Sequence, residues 1–169
     1  VKLEIMCGIF GIYPHKEAAG FAYLGLYALQ HRGEESSGII TRNGKRVYLH
    51  KALGLVNDVF NEKIIRSLRG ELAIGHVRYS TTGSSNIKNT QPFYVKSQIG
   101  DIAIAHNGNL TNALSLHQEL QKRGALFQTT MDSEIVAHLL AHSQKEDFKD
   151  AIIWSLSKLE GAYSLVLML

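Results

Sequence analysis

The sequence predicts a layered α+β domain. Apolar runs of strand length come first, a hairpin follows, and the remaining strands are mixed with consecutive helical segments, so strand and helix do not alternate as in a βαβ series. No Pro-rich linker, low-complexity tract or charge block divides the 169 residues, so one folding unit is expected. At this length a domain buries roughly 70% of its unfolded surface.

Taken in order, "CGIFGIY" reads as a buried strand, and "EAAGFAYLGLYALQH" spaces Ala18, Phe21, Ala22, Leu24 and Leu29 as a helix does. "SSGIITRNGKRVYLHK" is a hairpin turning at Asn43-Gly44. "NDVFNEKIIRSL" predicts one short helix capped by Asn57 or Asp58. "ELAIGHVR" predicts a strand with Leu72, Ile74, His76 and Arg78 on one face, followed by a polar loop from Tyr79 to Pro92. "FYVKS" and "DIAIAHNG" predict two strands, the second stopping at Asn107-Gly108. Three helices are then expected, one closing at Gly124, one opening at Asp132 and Glu134, and one ending at Gly161. The apolar β-type run "AYSLVLML" ends the chain, where a strand needs neighbours on both faces, so a truncated chain is expected.

Composition excludes several function classes. Cys7 is the single cysteine, which rules out an internal disulfide and a cysteine-based zinc cluster and points to a reducing compartment, the cytoplasm. The net charge of +3 comes from Lys and Arg scattered among acids, which gives no support to a nucleic-acid face. No apolar run reaches the roughly 18 residues of a membrane span, and the opening residues lack the pattern of a secretory signal. Dinucleotide and P-loop signatures are absent. His138 and His142 lie four apart, but no H-E-x-x-H motif or third ligand accompanies them, so no metal site is expected.

Chemistry centres on Cys7, for which two readings stand open. It is a small buried apolar residue, or it is a nucleophile exposed as residue one by removal of Val1 to Met6. In the second case its α-amino group, with a pKa of about 7.7 to 8.0, takes the thiol proton and no histidine is needed. Asn107 and Gly108 offer a side-chain amide and a backbone N–H to a developing oxyanion, or they form an ordinary turn. Arg78 suits a carboxylate or a structural ion pair, and Asp132 suits an ammonium, a helix cap, or both. The loop "YSTTGSSNIKNTQPF" is a lid or a plain surface loop.

The segments "CGIFGIY", "LQHRGEESSGI", "GHVRYSTTG", "AHNGNL", "DSE" and "LEGAYSLVLM" occur in an order that resembles the glutamine amidotransferase domain of the class with an N-terminal cysteine nucleophile, from Cys7 to Leu169. The resemblance implies a four-layer α-β-β-α sandwich of the N-terminal-nucleophile hydrolase type, with residues 1–6 a leader and residues 7–169 the glutaminase domain. It implies Cys7 as nucleophile, Asn107 and Gly108 as oxyanion hole, and Arg78 and Asp132 as clamps on the glutamine α-carboxylate and α-ammonium. Tyr79 and Thr81 fall in the family's closing loop, and Arg32-Gly33 in its segment near the nucleophile.

"LQHRGEESSG" and "RYSTTG" favour the branch that passes ammonia to phosphoribosyl diphosphate, giving 5-phosphoribosylamine in the first step of purine synthesis. Glucosamine-6-phosphate synthase usually reads like "RGYDSAG" and has a tryptophan and a histidine where this chain has Tyr79 and Thr82. Departures are Glu34, where Gln is common, and Ser36-Ser37, where smaller residues are usual. Expected partners are glutamine, a following phosphoribosyltransferase domain and further copies in a homo-oligomer, with neither nucleic acid nor membrane. No cofactor is expected in this domain, Mg2+ and an iron–sulfur cluster belonging to the full-length enzyme. The rival readings are another amidotransferase of the class, a glutamine-binding scaffold that never frees Cys7, and a papain-like hydrolase pairing an internal Cys with a His.

Overall fold

A computed structural model describes residues 7–79 and 86–169. The chain runs β1 (Gly8–Ile12), α1 (Ala18–Ala28), β2 (Ser36–Asn43), β3 (Arg46–Leu53), α2 (Val56–Val59), α3 (Glu62–Ser67) and β4 (Leu72–Arg78). It continues through β5 (Phe93–Ser97), β6 (Gly100–Leu110), α4 (Ala113–Lys122), α5 (Asp132–Ala141), α6 (Phe148–Leu156) and β7 (Gly161–Met168). Two antiparallel sheets result, ordered β1-β4-β2-β3 and β5-β6-β7.

Three apolar layers hold the sandwich together, and strand alternation sorts residues among them. Ala18, Ala22 and Leu26 of α1 meet Ile39 and Val77 on the outer face of the first sheet. Ile40 and Ile74 face Ala103, Ala105 and Met168 between the sheets. Ile102 and Ile104 turn the other way, onto Leu116, Leu120, Ile135 and Leu140 of the second helical layer. Helices therefore cover both outer faces, and the architecture is the expected four-layer α-β-β-α sandwich.

The same alternation aims the polar ends of the strands. Cys7 shares the face of Ile9, His76 and Arg78 share that of Ile74, and Asn107 shares that of Ala103 and Ala105, so all four point into the gap between the sheets. "AIGHVR" and "AIAHNG", alike in sequence, are thus strands facing each other across the gap rather than neighbours in one sheet.

Four expected boundaries move. The predicted single helix after Leu55 is two, broken at buried, extended Phe60, and the working cap is Asn61, whose side chain accepts from Ile64 N at 2.9 Å. Asn57 and Asp58 lie inside the first of them. β6 does not stop at Asn107-Gly108 but runs to Leu110, because β7 supplies partners for every residue beyond His106. The last helix ends at Leu156, and Gly161 opens β7 instead of closing the helix. The hairpin turn is displaced by one residue, since Asn43 pairs with Arg46.

The cap assignment has a direct check in urea unfolding. Asn61→Ala should cost about 1 kcal/mol, whereas exposed Asn57→Ala should stay within about 0.5 kcal/mol; equal losses would return the cap to Asn57.

Candidate active site

Register places the nucleophile candidate. Gly8 pairs with Val77, so Cys7 stands beside Arg78 where β4 ends. Cys7 Sγ lies 3.9 Å from the Tyr79 carbonyl oxygen, a long sulfur contact, and Arg32 Nε donates to the Cys7 carbonyl at 3.2 Å. Gly33 lets its segment run against β4, because a Cβ there would sit 2.7 Å from the Val77 carbonyl carbon. Arg32 and Gly33 thus support the backbone around Cys7.

Burial pushes the Cys7 thiol above its ordinary pKa; the Tyr79 carbonyl contact and the Arg78 charge oppose that, and Glu35 adds to it. A thiol in this state is protonated at neutral pH and needs a base. All eight histidines lie in the described residues, and none of their rings bonds to Sγ.

Arg78 is already engaged. Its Nη1 donates to Glu35 Oε1 at 2.7 Å, with only 16% and 9% of the two side chains exposed. Glu35 also donates its backbone N–H to the Arg78 carbonyl at 3.0 Å. A guanidinium has five donors, so this pair fixes one end of the fork and the choice offered by the sequence, structural pair or carboxylate clamp, is not exclusive. Glu35 escaped the sequence reading; its only sequence signal is its place in "HRGEESSG".

Asn107 and Gly108 are strand residues opposite Ser164 and Tyr163, which removes the turn alternative. Gly108 has φ of 134°, and a Cβ would come within 2.3 Å of the Ala162 carbonyl oxygen, so the position requires glycine. The two sheets connect just before this pair: a ring nitrogen of His76, Nε2, bonds the His106 carbonyl at 3.0 Å. Since that oxygen accepts only, Nε2 carries the proton. Desolvation lowers the His76 pKa to about 3, so the ring stays neutral.

Asp132 is the first residue of α5 and not its cap. Its Oδ2 accepts from Leu110 N at 3.0 Å, tying the end of β6 to the helix, and its charge reaches the His106 imidazole. Buried Glu134 shapes the approach to it, accepting from Gln128 N, Thr129 N and Thr129 Oγ1 at 2.8, 2.7 and 2.6 Å. Asn89 and Thr130 exchange two further bonds, joining the end of the long loop to that segment. Glu134 and Asn89 were also missed, because both act through backbone that only folding brings near.

Tyr79 borders the site, while Thr81 and residues 1–6 lie outside the described residues. His138 sits on α5 against Phe127, which stacks on His117, and His142 caps the helix beside His138, remote in sequence and layer from Cys7. Among the described residues no group of three or more His, Cys, Asp or Glu is arranged to hold a metal ion, and no helix is long and apolar enough to cross a membrane. A groove of about 370 Å³ between Tyr13, Arg42, Glu71 and Leu169 lies at the other end of β1 from Cys7 and carries none of the candidate residues.

Comparison with known proteins places the chain in a family. The chain is 50% identical over 167 residues to an amidophosphoribosyltransferase of Methanocaldococcus jannaschii, covering 96% of the chain and 36% of that protein. It is 46% identical over 163 residues to the amidophosphoribosyltransferase of Bacillus subtilis, covering 96% of the chain and 34% of that protein. Among solved structures, an allosteric regulatory enzyme of purine biosynthesis superposes with a TM-score of 0.91 at 45% identity, over 95% of this chain and 35% of that one. The Bacillus subtilis glutamine phosphoribosylpyrophosphate amidotransferase complexed with ADP and GMP gives 0.89 at 45% identity, over 95% of this chain and 34% of that one. The chain thus spans about a third of the length of the relatives it matches. A family model described as a glutamine amidotransferase domain matches residues 76–168, from the buried histidine of β4 to the end of β7, and the chain belongs to that family.

Proposed function

We propose that this chain is a glutaminase domain that hydrolyses glutamine to glutamate and ammonia through a Cys7 thioester, the ammonia passing to phosphoribosyl diphosphate to give 5-phosphoribosylamine, the first step of purine synthesis. The observation that carries the glutaminase reading is the setting of Cys7: a half-buried thiol at the head of β1, without an imidazole on its sulfur and beside Arg78. The acceptor half rests on the names of eight relatives, amidophosphoribosyltransferases at 45% to 50% identity.

In this reading the α-amino group of Cys7 takes the thiol proton, directly or through water, and the sulfur attacks the amide carbon. The negative oxygen forms against the Asn107 side chain, which faces the same gap as Cys7, and the Gly108 backbone N–H, and a donor so placed is worth about 10²- to 10³-fold in rate. The C–N bond then breaks, the amine returns its proton to the leaving nitrogen, and water cleaves the thioester to glutamate. While Met6 is attached, the Cys7 nitrogen is an amide without a basic lone pair, so residues 1–6 act as a leader that must leave.

Arg78, steadied by Glu35, takes the α-carboxylate, and Asp132 takes the α-ammonium with the oxygen not used by Leu110 N. Tyr79 and Thr81 belong to the loop that covers glutamine, and Arg32 and Gly33 hold the nucleophile's backbone. A following phosphoribosyltransferase domain and homo-oligomeric assembly in the cytoplasm belong to the full-length protein. Mg2+ and an iron–sulfur cluster fall to that remainder as well, since one cysteine cannot supply four thiolates.

Three measurements bear on this. In protein that begins at Cys7, Cys7→Ala should reduce glutamate release by more than about 10³-fold; an unchanged rate would remove the thiol from the reaction. Arg78→Lys should raise the glutamine KM about 10-fold or more, because lysine has no bidentate fork, and a wild-type KM would take Arg78 out of the site. Intact mass should find residues 1–6 missing from active protein, and full activity with them attached would overturn the role of the free amine.

A further inference from the structure

We propose that Gln91, together with His76, is a positioning residue for the oxyanion donors, fixing the backbone of the residue that precedes Asn107. The inference rests on the glutaminase reading above. Ladder pairing between β5 and β6 begins at Phe93 opposite Ile104, and extending that register sets Gln91 opposite His106. No strand residue pairs there; the Gln91 side chain does so instead. Its Oε1 accepts from His106 N at 2.8 Å and its Nε2 donates to the His106 carbonyl at 3.4 Å. One side-chain amide thus makes the two bonds that a facing strand residue makes in an antiparallel hydrogen-bonded pair.

The same carbonyl receives His76 Nε2 at 3.0 Å from the opposite sheet, and β7 holds the other edge through the His106–Leu165 pair. Because a peptide unit is planar, fixing the His106 oxygen fixes the direction of the Asn107 N–H and the position of its Cα. Asn107 and the left-handed Gly108 follow directly. Gln91 is 6% exposed and His76 fully buried, so water does not replace a lost bond. His76 Nδ1 has no partner among the described residues, which leaves the ring serving this one bond, at the cost of an unsatisfied buried nitrogen.

The test uses full-length protein beginning at Cys7, with Gln91→Met and Gln91→Glu. Methionine keeps length and bulk and removes both bonds, whereas glutamate keeps the acceptor for His106 N and removes the donor, so it carries the test if the first variant does not fold. Gln91→Met should lower kcat for glutamine about 10- to 100-fold and Gln91→Glu by less, both with KM within about 3-fold of wild type. Alkylation of Cys7 by iodoacetamide, a displacement at saturated carbon that forms no oxyanion, should stay within about 2-fold of wild type. In an Asn107→Ala background Gln91→Met should lose part of its effect, since one of the two donors it positions is gone. A wild-type kcat in the folded variants, an equal fall in kcat and alkylation, or full additivity with Asn107→Ala would each overturn the inference. Wild-type protein that alkylates at Cys7 yet releases no glutamate would sink the glutaminase reading and this inference with it. Active wild type beside an unaffected Gln91 variant would sink the inference alone.

Discussion

The polar end of β4 has to be satisfied without water, and the site is built around that constraint. β4 is a central strand with a neighbour on each edge, helices on one face and the second sheet on the other. Its last inward residues are His76 and Arg78, where a sandwich would ordinarily bury apolar side chains. Burying them without partners would cost several kcal/mol each. His76 finds its partner across the gap in the His106 carbonyl, and Arg78 finds Glu35 at the head of β2. The first bond ties the two sheets together and the second ties β4 to β2 within one sheet, both at the end where Cys7 enters β1.

Cys7 inherits its chemistry from that position. The layer that buries it raises its pKa, and the Arg78 charge offsets this in part because Glu35 keeps the guanidinium nearby. A protonated thiol needs a base, yet the one imidazole of β4 is kept neutral and committed to a backbone oxygen. The proposal of a terminal amine as base follows from that arrangement. It makes the Met6–Cys7 peptide bond the point at which activity is withheld or released.

The second sheet contributes rigidity rather than charge. Ala103 and Ala105 are small enough for the sheets to approach closely, while Ile102 and Ile104 anchor the outer face of the same strand on the helices. β6 is thereby fixed on both faces, and at His106, just before Asn107 and Gly108, it is held on both edges by Gln91 and β7. The α5 end is tied in through Asp132 to Leu110 N, with Glu134 bracing the turn before it.

By itself, the sequence determined the local periodicities: the seven strands, the helices α1, α4, α5 and α6, and the sharing of one face by Leu72, Ile74, His76 and Arg78. Alternation and helical spacing are properties of neighbouring residues and need no fold to be visible. Motif order was equally legible, and through resemblance it named Cys7, Asn107, Gly108, Arg78 and Asp132. Only tertiary structure decided which readings of those residues survive. Asn107-Gly108 is strand and not turn because β7, some fifty residues later, pairs with it. Arg78 has a partner because β2 lies beside β4, and Glu35, Gln91 and Glu134 matter because folding sets their side chains against groups 43, 15 and 5 to 6 residues away, the Arg78 guanidinium for the first and backbone N–H groups for the others. Such bonds are made between surfaces, and no pattern along the chain records which surfaces will meet.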